Sequence, residues 1–388
     1  MTAIDKRLLD NVLIYEDARE MKARGFIEYN QFQDIKSKLA LPSSSNNILI
    51  RFLFFLLGVL LFSSITGVIS LVSSPIWSDG NFEILLLLFA ITGVVGSEFL
   101  AKGKYYAHGL DDAFILGAQG CLYSVVGVSS ENMLAVFAAM SVGGFCFCIR
   151  YVNSLSAVIS VIGFTGLIEN LVVEHHLIST AFLPFIMFFL GAGFYWCFTY
   201  GTRLREAMIY HNALFLIKIF SLLLIYFSMN YLVVRQLSEE LLNVEVAVGE
   251  NIPFAWLFYI FTFLIPLFFI VYALKKKDRA IFYIGILTFG FSIYTIRYYQ
   301  SIMPIEYALT IGGLVLFAAV YLSIRLIRHK TTGITFVRDD YAREEALLLA
   351  QAFIVNSNTG FAATPASAES PMTFGGGGYS GGGAGESF

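Results

Sequence analysis

Read along the chain, long apolar runs alternate with short polar stretches, and the runs share one length. Ten of them are found, at about 48–72, 82–101, 107–127, 132–149, 154–173, 177–200, 210–234, 252–274, 280–299 and 303–327. Each approximates the ~20 residues that a helix needs to cross a hydrocarbon core of roughly 30 Å. Residues 107–127 and 154–173 are the least apolar, because Asp111, Asp112 and Glu169 sit near their ends. The pattern predicts an all-α protein: a polytopic transmembrane helix bundle of about ten spans over 48–327. A polar N-terminal segment, 1–47, precedes it and a C-terminal segment, 328–388, follows.

The charges of the loops orient this bundle. With the N-terminus inside, one set of loops carries Lys102 and Lys104, then Arg150, then Arg203 and Arg205, then Lys275, Lys276, Lys277 and Arg279. Arg328 and Lys330 follow the last run. The opposite loops, 73–81, 128–131, 174–176, 235–251 and 300–302, hold Arg235 and no other Lys or Arg. Short loops rich in Lys and Arg stay cytoplasmic. The sequence therefore predicts a multi-pass protein of a bacterial inner membrane with both termini in the cytoplasm. No short apolar run opens the chain, so no cleavable signal peptide is expected.

Composition agrees and narrows the function. Of 388 residues, 57% are hydrophobic and 14% charged, against about 25% charged in soluble domains. The 38 Phe and 21 Tyr suit lipid-facing surfaces and interfacial belts. The lipid bilayer is thus the first partner. A net charge of −3 and the lack of a long basic run argue against nucleic acid. Cys121, Cys146, Cys148 and Cys197 all fall in apolar runs and read as small buried side chains. Pairs of small residues, Ala139/Gly143, Gly93/Gly96, Gly117/Gly120 and Gly163/Gly166, allow close helix packing. Pro184 and Pro266 fall within runs and predict kinks.

The polar ends carry short helices. Thr2 with Asp5 predicts a capped helix over 3–24, closed by Gly25. Asn30 with Gln33 predicts a second cap and a helix through Leu39. These two are too small for a core of their own and are expected to dock on the bundle, on each other or on a protein partner. Residues 339–352 fit a short helix, and 356–372 a disordered stretch. The glycine-rich end carries Tyr379 and Phe388, candidate docking residues for a protein partner.

The stretch "ARGFIEYNQFQDI" (Ala23–Ile35), followed by a linker and many spans, resembles a bacterial membrane-protein family catalogued as domain of unknown function 2157. The match covers roughly 15–70 and centres on Gly25-Phe26-Ile27 with Gln31 or Gln33. The tail "GGGGYSGGGAGESF" is similar to the glycine-rich ends of TPM-domain envelope proteins. Both resemblances imply an envelope protein, and neither brings a catalytic residue.

Ionisable groups inside spans are costly and mark candidate pathways. Glu98, His108, Asp111, Asp112, Glu169, Arg297 and Glu306 all lie near span ends. Lys218 is deeper, about 12 Å along its helix. Two readings follow: its amine snorkels to the interface, or it pairs in the interior with Asp111 or Asp112, which enter from the same side. Adjacent residues point apart on a helix, so one of the two acids is expected to face inward.

No metal is expected: Glu174-His175-His176 sits in a short loop where adjacent histidines diverge. No hydrolase, phosphate-loop or dinucleotide motif occurs, so neither an enzyme nor a cofactor is implied. Two functions remain: a small-solute permease using Lys218 with Asp111 or Asp112, or a scaffold recruiting partners through its cytoplasmic ends.

Overall fold

Backbone N–H and C=O groups have no water to pair with inside a bilayer, so each spanning segment must satisfy its own by forming a helix. The computed structural model describes residues 2–23, 26–44, 47–73, 82–175, 178–242 and 252–299, with six single positions between 310 and 325. Among them are twelve α-helices, and the only β pairing is a single bridge between Ser43 and Tyr105. Two helices precede the apolar runs: α1 (Lys6–Ala23) and α2 (Tyr29–Lys38). There follow α3 (Ile48–Val72), α4 (Phe82–Lys102), α5 (Leu110–Ser130), α6 (Met133–Tyr151), α7 (Ser154–Val173) and α8 (Leu183–Gly201). The last are α9 (His211–Met229), α10 (Tyr231–Leu242), α11 (Ala255–Lys276) and α12 (Arg279–Tyr299). All but α1, α2 and α10 are long and apolar enough to cross a membrane, nine spans among the described residues.

The distribution of side chains is inverted relative to a water-soluble protein. Phe52, Leu60, Phe99, Phe189, Phe268 and Leu287 are exposed. Gln119, Ser156, Asn230, Thr262, Ser292 and Thr295 are fully buried. A bilayer is the solvent that makes such an arrangement favourable, and the chain is a polytopic α-helical membrane protein.

Consecutive spans pack as hairpins: α4 with α5, α6 with α7, α8 with α9, α11 with α12. Helix α3 lies on α5, and α7 against α9 joins the first five spans to the remainder. The α6–α7 contact is closest. A Cβ on Gly163 would lie 2.5 Å from the Ser141 nitrogen, and one on Gly144 2.7 Å from that of Ser160. Only glycine permits that approach. Asparagines start three spans: Asn47, Asn132 and Asn153 accept from the N–H groups of Leu49 (3.0 Å), Leu134 (2.8 Å) and Ser156 (2.9 Å).

The N-terminal helix docks on the bundle, one of the three alternatives the sequence left open. Ile4, Leu8 and Leu9 form an apolar cluster with Ala101, Val152, Ile209 and Tyr210, and the Ala3 N–H donates to the Arg150 carbonyl (2.7 Å). The ends of α4, α6 and the segment before α9 therefore lie on one face, hereafter the basic end. Its loops are those that carry the Lys and Arg residues.

Several boundaries differ from expectation. The cap of α1 is Asp5, whose carboxylate accepts from the Arg7 N–H (3.0 Å); Thr2 instead donates to the Ile4 carbonyl (2.9 Å). Helix α2 is capped two residues before the predicted pair, with the Glu28 N–H donating to Gln31 Oε1 (2.9 Å). Pro184 stands at the first turn of α8, where a missing N–H costs nothing, so it starts that helix and does not kink it. Pro266 is inside α11 as predicted. The seventh run does not continue to residue 234. Asn230 is extended and breaks it, and the Val233 N–H donates to the Asn230 side chain (3.3 Å) as α10 begins. Of the cysteines, Cys148 is buried, while Cys146 and Cys197 are exposed on the lipid-facing surface.

Single described positions within the tenth run, Thr310, Gly313, Leu314, Phe317, Tyr321 and Arg325, are helical. The remainder of that run, Gly25, His176, Glu306, the predicted helix 339–352, Tyr379 and Phe388 lie outside the described residues.

Candidate functional site

A continuous line of polar side chains starts at the basic end and runs into the bundle along α5. Arg51, in the first turn of α3, donates to Asp112 Oδ2 through Nε (3.0 Å) and Nη2 (2.6 Å). Asn153, between α6 and α7, donates through Nδ2 to Asp112 Oδ1 (2.7 Å). The Ser156 hydroxyl donates to Asn153 Oδ1 (3.1 Å), and Gln119 Nε2 donates to Ser156 Oγ (2.5 Å). The line ends where the Tyr123 hydroxyl donates to Gln119 Oε1 (3.2 Å). Asp112 to Tyr123 covers about 16 Å of helix axis at ~1.5 Å per residue, more than half of the hydrocarbon core.

Every donor in this line points toward Asp112, so the dipoles add and favour its negative charge, which Arg51 balances from the other side. The line does not suit proton hopping. Asn153 and Gln119 are neutral amides, which donate through nitrogen and accept through oxygen without exchanging the two roles. What it can transmit is orientation and charge preference.

Beyond Tyr123 the same face of α5 opens. Tyr123, Ser124, Gly127 and Glu131, with Asn132, Met133 and Val136 of the α6 side, line an open cavity of about 450 Å³. Polar contacts or open space thus follow α5 from Arg51 and Asp112 at one end to Glu131 at the other.

Segment 40–43 packs beside the basic end of the line, where Arg51 stays about one-third exposed. The Ser43 N–H donates to the Lys104 carbonyl (2.9 Å), the Tyr106 N–H to the Ser43 carbonyl (3.2 Å), and Asn11 of α1 to the Ala40 carbonyl (3.0 Å). Tyr106 borders a small cavity of about 30 Å³ between α1 and the start of α9. Burial pushes its phenol well above the usual tyrosine range, helped by Glu16, so it stays protonated.

The candidates read from sequence divide between separate places. Asp112 is in the line, whereas Asp111 turns to the loop before α5 and accepts from the N–H groups of Ala107 (2.8 Å), His108 (3.1 Å) and Gly109 (2.9 Å). The expected pairing of Lys218 with either acid does not form. Lys218 Nζ donates to Asp278 Oδ2 (2.5 Å) in the α11–α12 turn and lies near the Phe198 and Phe215 rings. The reason is reach: the long stem takes the amine to Asp278 beside the start of α12, where the side chain stays buried, so it neither snorkels into water nor meets the acid that Arg51 already holds.

Glu98 is engaged as well, by Arg150 Nε (2.7 Å) and the Tyr151 hydroxyl (3.0 Å). No group of three His, Cys, Asp or Glu able to hold a metal occurs among the described residues.

A second buried polar cluster joins α9, α11 and α12. Asn230 Nδ2 donates to the Tyr226 hydroxyl (2.9 Å) and to Thr295 Oγ1 (3.1 Å). Tyr226 Oη and Ser292 Oγ share a hydrogen bond (2.8 Å), Ser292 donates to the Thr262 carbonyl (2.6 Å), and the Tyr231 N–H donates to Thr262 Oγ1 (3.1 Å).

Arg51, Gln119, Tyr123, Asn153 and Ser156 were not singled out from sequence. A signal existed for three residues of the line: Asp112, Gln119 and Tyr123 are spaced seven and four apart, which places them on one helical face of the least apolar run. Fold and site together define a multi-pass membrane protein with a polar line through its first five spans. Compared with known proteins, the chain matches no family model, no curated protein and no solved structure.

Proposed function

We propose that the protein is a permease for a small solute, set in a bacterial inner membrane with its basic end and both termini cytoplasmic. One observation carries this reading: the buried polar line from Arg51–Asp112 to Tyr123 continues into an open cavity along the same helix. Polar groups at this depth are costly unless they serve a path or a lock. Here Arg51–Asp112 is the lock at the cytoplasmic side. A solute that takes the Tyr123 hydroxyl away from Gln119 removes a donor from the line. Asp112 then loses part of its stabilisation, Arg51 is released, and the closed end opens. The loss of one hydrogen bond is worth about 1 kcal/mol, roughly a fivefold shift in the gate.

The test uses the full chain in liposomes, with its four cysteines replaced by alanine and Ser124→Cys introduced. A membrane-impermeant maleimide is expected to modify this position from the non-basic side, and a panel of small solutes to evoke charge movement whose gating Asp112→Asn removes, leaving a constitutive leak. Protection of Ser124→Cys from the reagent, with no solute-evoked signal, would sink the permease.

The scaffold alternative has one supporting observation, the exposed Phe26 and Tyr29 beside α2. Helix α1 is already committed to the bundle. Under that reading, removal of 356–388 or Phe26→Ser is expected to abolish function while Asp112→Asn is tolerated.

A further inference from the structure

The α5–α6 cavity is more specific than an open path requires. Its lining includes one charged side chain, Glu131, and no basic residue. Glu131 caps the C-terminus of α5, where the last carbonyls and the helix dipole add negative potential. Its backbone is left-handed (φ 48°, ψ 22°), a conformation that glycine or asparagine would adopt at less cost. A glutamate held there against its preference places a carboxylate at the mouth of the cavity.

Deeper in, the walls are apolar. Val136 and Met133 face the space, Gly127 leaves room, and the Tyr123 ring forms the inner limit. An aromatic face attracts a cation, and methionine adapts to an irregular apolar body. Inorganic divalent cations are poorly served, since they need several oxygen ligands and Glu131 is the cavity's one acid. An anion would meet the Glu131 carboxylate, the charge that decides here because the C-terminus of α5 and the N-terminus of α6 at Met133 offset each other. The remaining class has one positive charge and an apolar body.

We propose that this cavity is the solute site and binds a small organic ammonium ion, its charge between Glu131 and the α5 C-terminus and its apolar part toward Tyr123. The inference rests on the permease reading and names its substrate class.

The experiment measures maleimide labelling of Ser124→Cys in the full chain, using benzylammonium as the probe and benzyl alcohol and benzoate as controls. Saturating benzylammonium is expected to slow labelling about tenfold by mass action, with the two controls leaving it within about twofold. Glu131→Gly keeps the backbone conformation at lower cost, so unliganded labelling is retained while the protection disappears. Equal protection by benzyl alcohol, protection that survives Glu131→Gly, or no protection by benzylammonium each overturns the ammonium site and leaves the permease standing. If Ser124→Cys resists the reagent without any probe, the cavity is closed to water and both readings fall.

Discussion

The two buried polar systems use similar side chains to opposite ends. In the second group of spans, Tyr226, Asn230, Thr262, Ser292 and Thr295 close on one another around the break between α9 and α10. All five are fully buried, and three helices meet there. In the first group the polar residues form a line with two different ends, an ion pair whose Arg51 is about one-third exposed and a tyrosine beside an open cavity. A closed cluster holds helices together. An open-ended line connects places. Buried polarity in a membrane protein therefore does not by itself mark a pathway; the ends of the network decide.

The largest effect is expected in the closed cluster. Asn230→Leu removes bonds to Tyr226 and Thr295 and the cap on Val233. At roughly 0.6–1.7 kcal/mol per interhelical bond, the loss should reach about 2–3 kcal/mol. Unfolding of the purified protein in bicelles measures it. Labelling of Ser124→Cys should not change; if it does, the two regions are not independent.

Gln119→Leu should reverse that pattern. It takes one link from the middle of the line, with a stability cost near 1 kcal/mol, yet it uncouples Tyr123 from Asp112. Charge movement should persist as a leak that no longer responds to gating, while unfolding hardly shifts. Charge movement that stays gated would show that the line is a lock without a signal.

Lys218 tests how its pair is arranged. Lys218→Met leaves Asp278 without its cation, a loss softened because that carboxylate is about one-quarter exposed, so a cost of about 1–2 kcal/mol is expected. Asp278 would keep its own role, because its Oδ1 accepts from the Ala280 (3.1 Å) and Ile281 (3.2 Å) N–H groups. Asp278→Ala should cost about 1–3 kcal/mol more, since it strands a buried cation and uncaps α12. Charge movement is expected to survive Lys218→Met. Its loss would move the pathway to the second group of spans.

These contrasts also show what the sequence made legible. Nine spans were readable because run length and composition are local properties, whereas the surface on which the N-terminal helix docks was left open among three alternatives. The Asp112–Gln119–Tyr123 stripe was readable in principle from spacing on one run. Its partners were not: Arg51, Asn153 and Ser156 come from other helices, and only packing brings them to α5. The same holds for Lys218. Lys218 is buried, but both acids considered are taken by nearer partners, and Asp278 stands in a loop that depth arguments pass over. The break at Asn230 escaped notice because the apolar run continues through it.

The smallest effect gives the finest comparison. Two spans end in a charged residue with left-handed backbone at opposite membrane faces: Glu131 after α5 (φ 48°) and Lys277 after α11 (φ 56°). Each is a helix C-cap where glycine is the cheaper choice. Relief of the Cβ clash should therefore raise stability in both Glu131→Gly and Lys277→Gly, by about 0.5–1 kcal/mol after the added entropy of the unfolded glycine chain. If the strain at Glu131 is tolerated for the sake of its charge, the two gains match in the unfolding assay and only Glu131→Gly alters benzylammonium protection. A gain at Lys277 with a loss at Glu131 would mean that the carboxylate holds the α5–α6 turn itself, and the cavity mouth would then be structural.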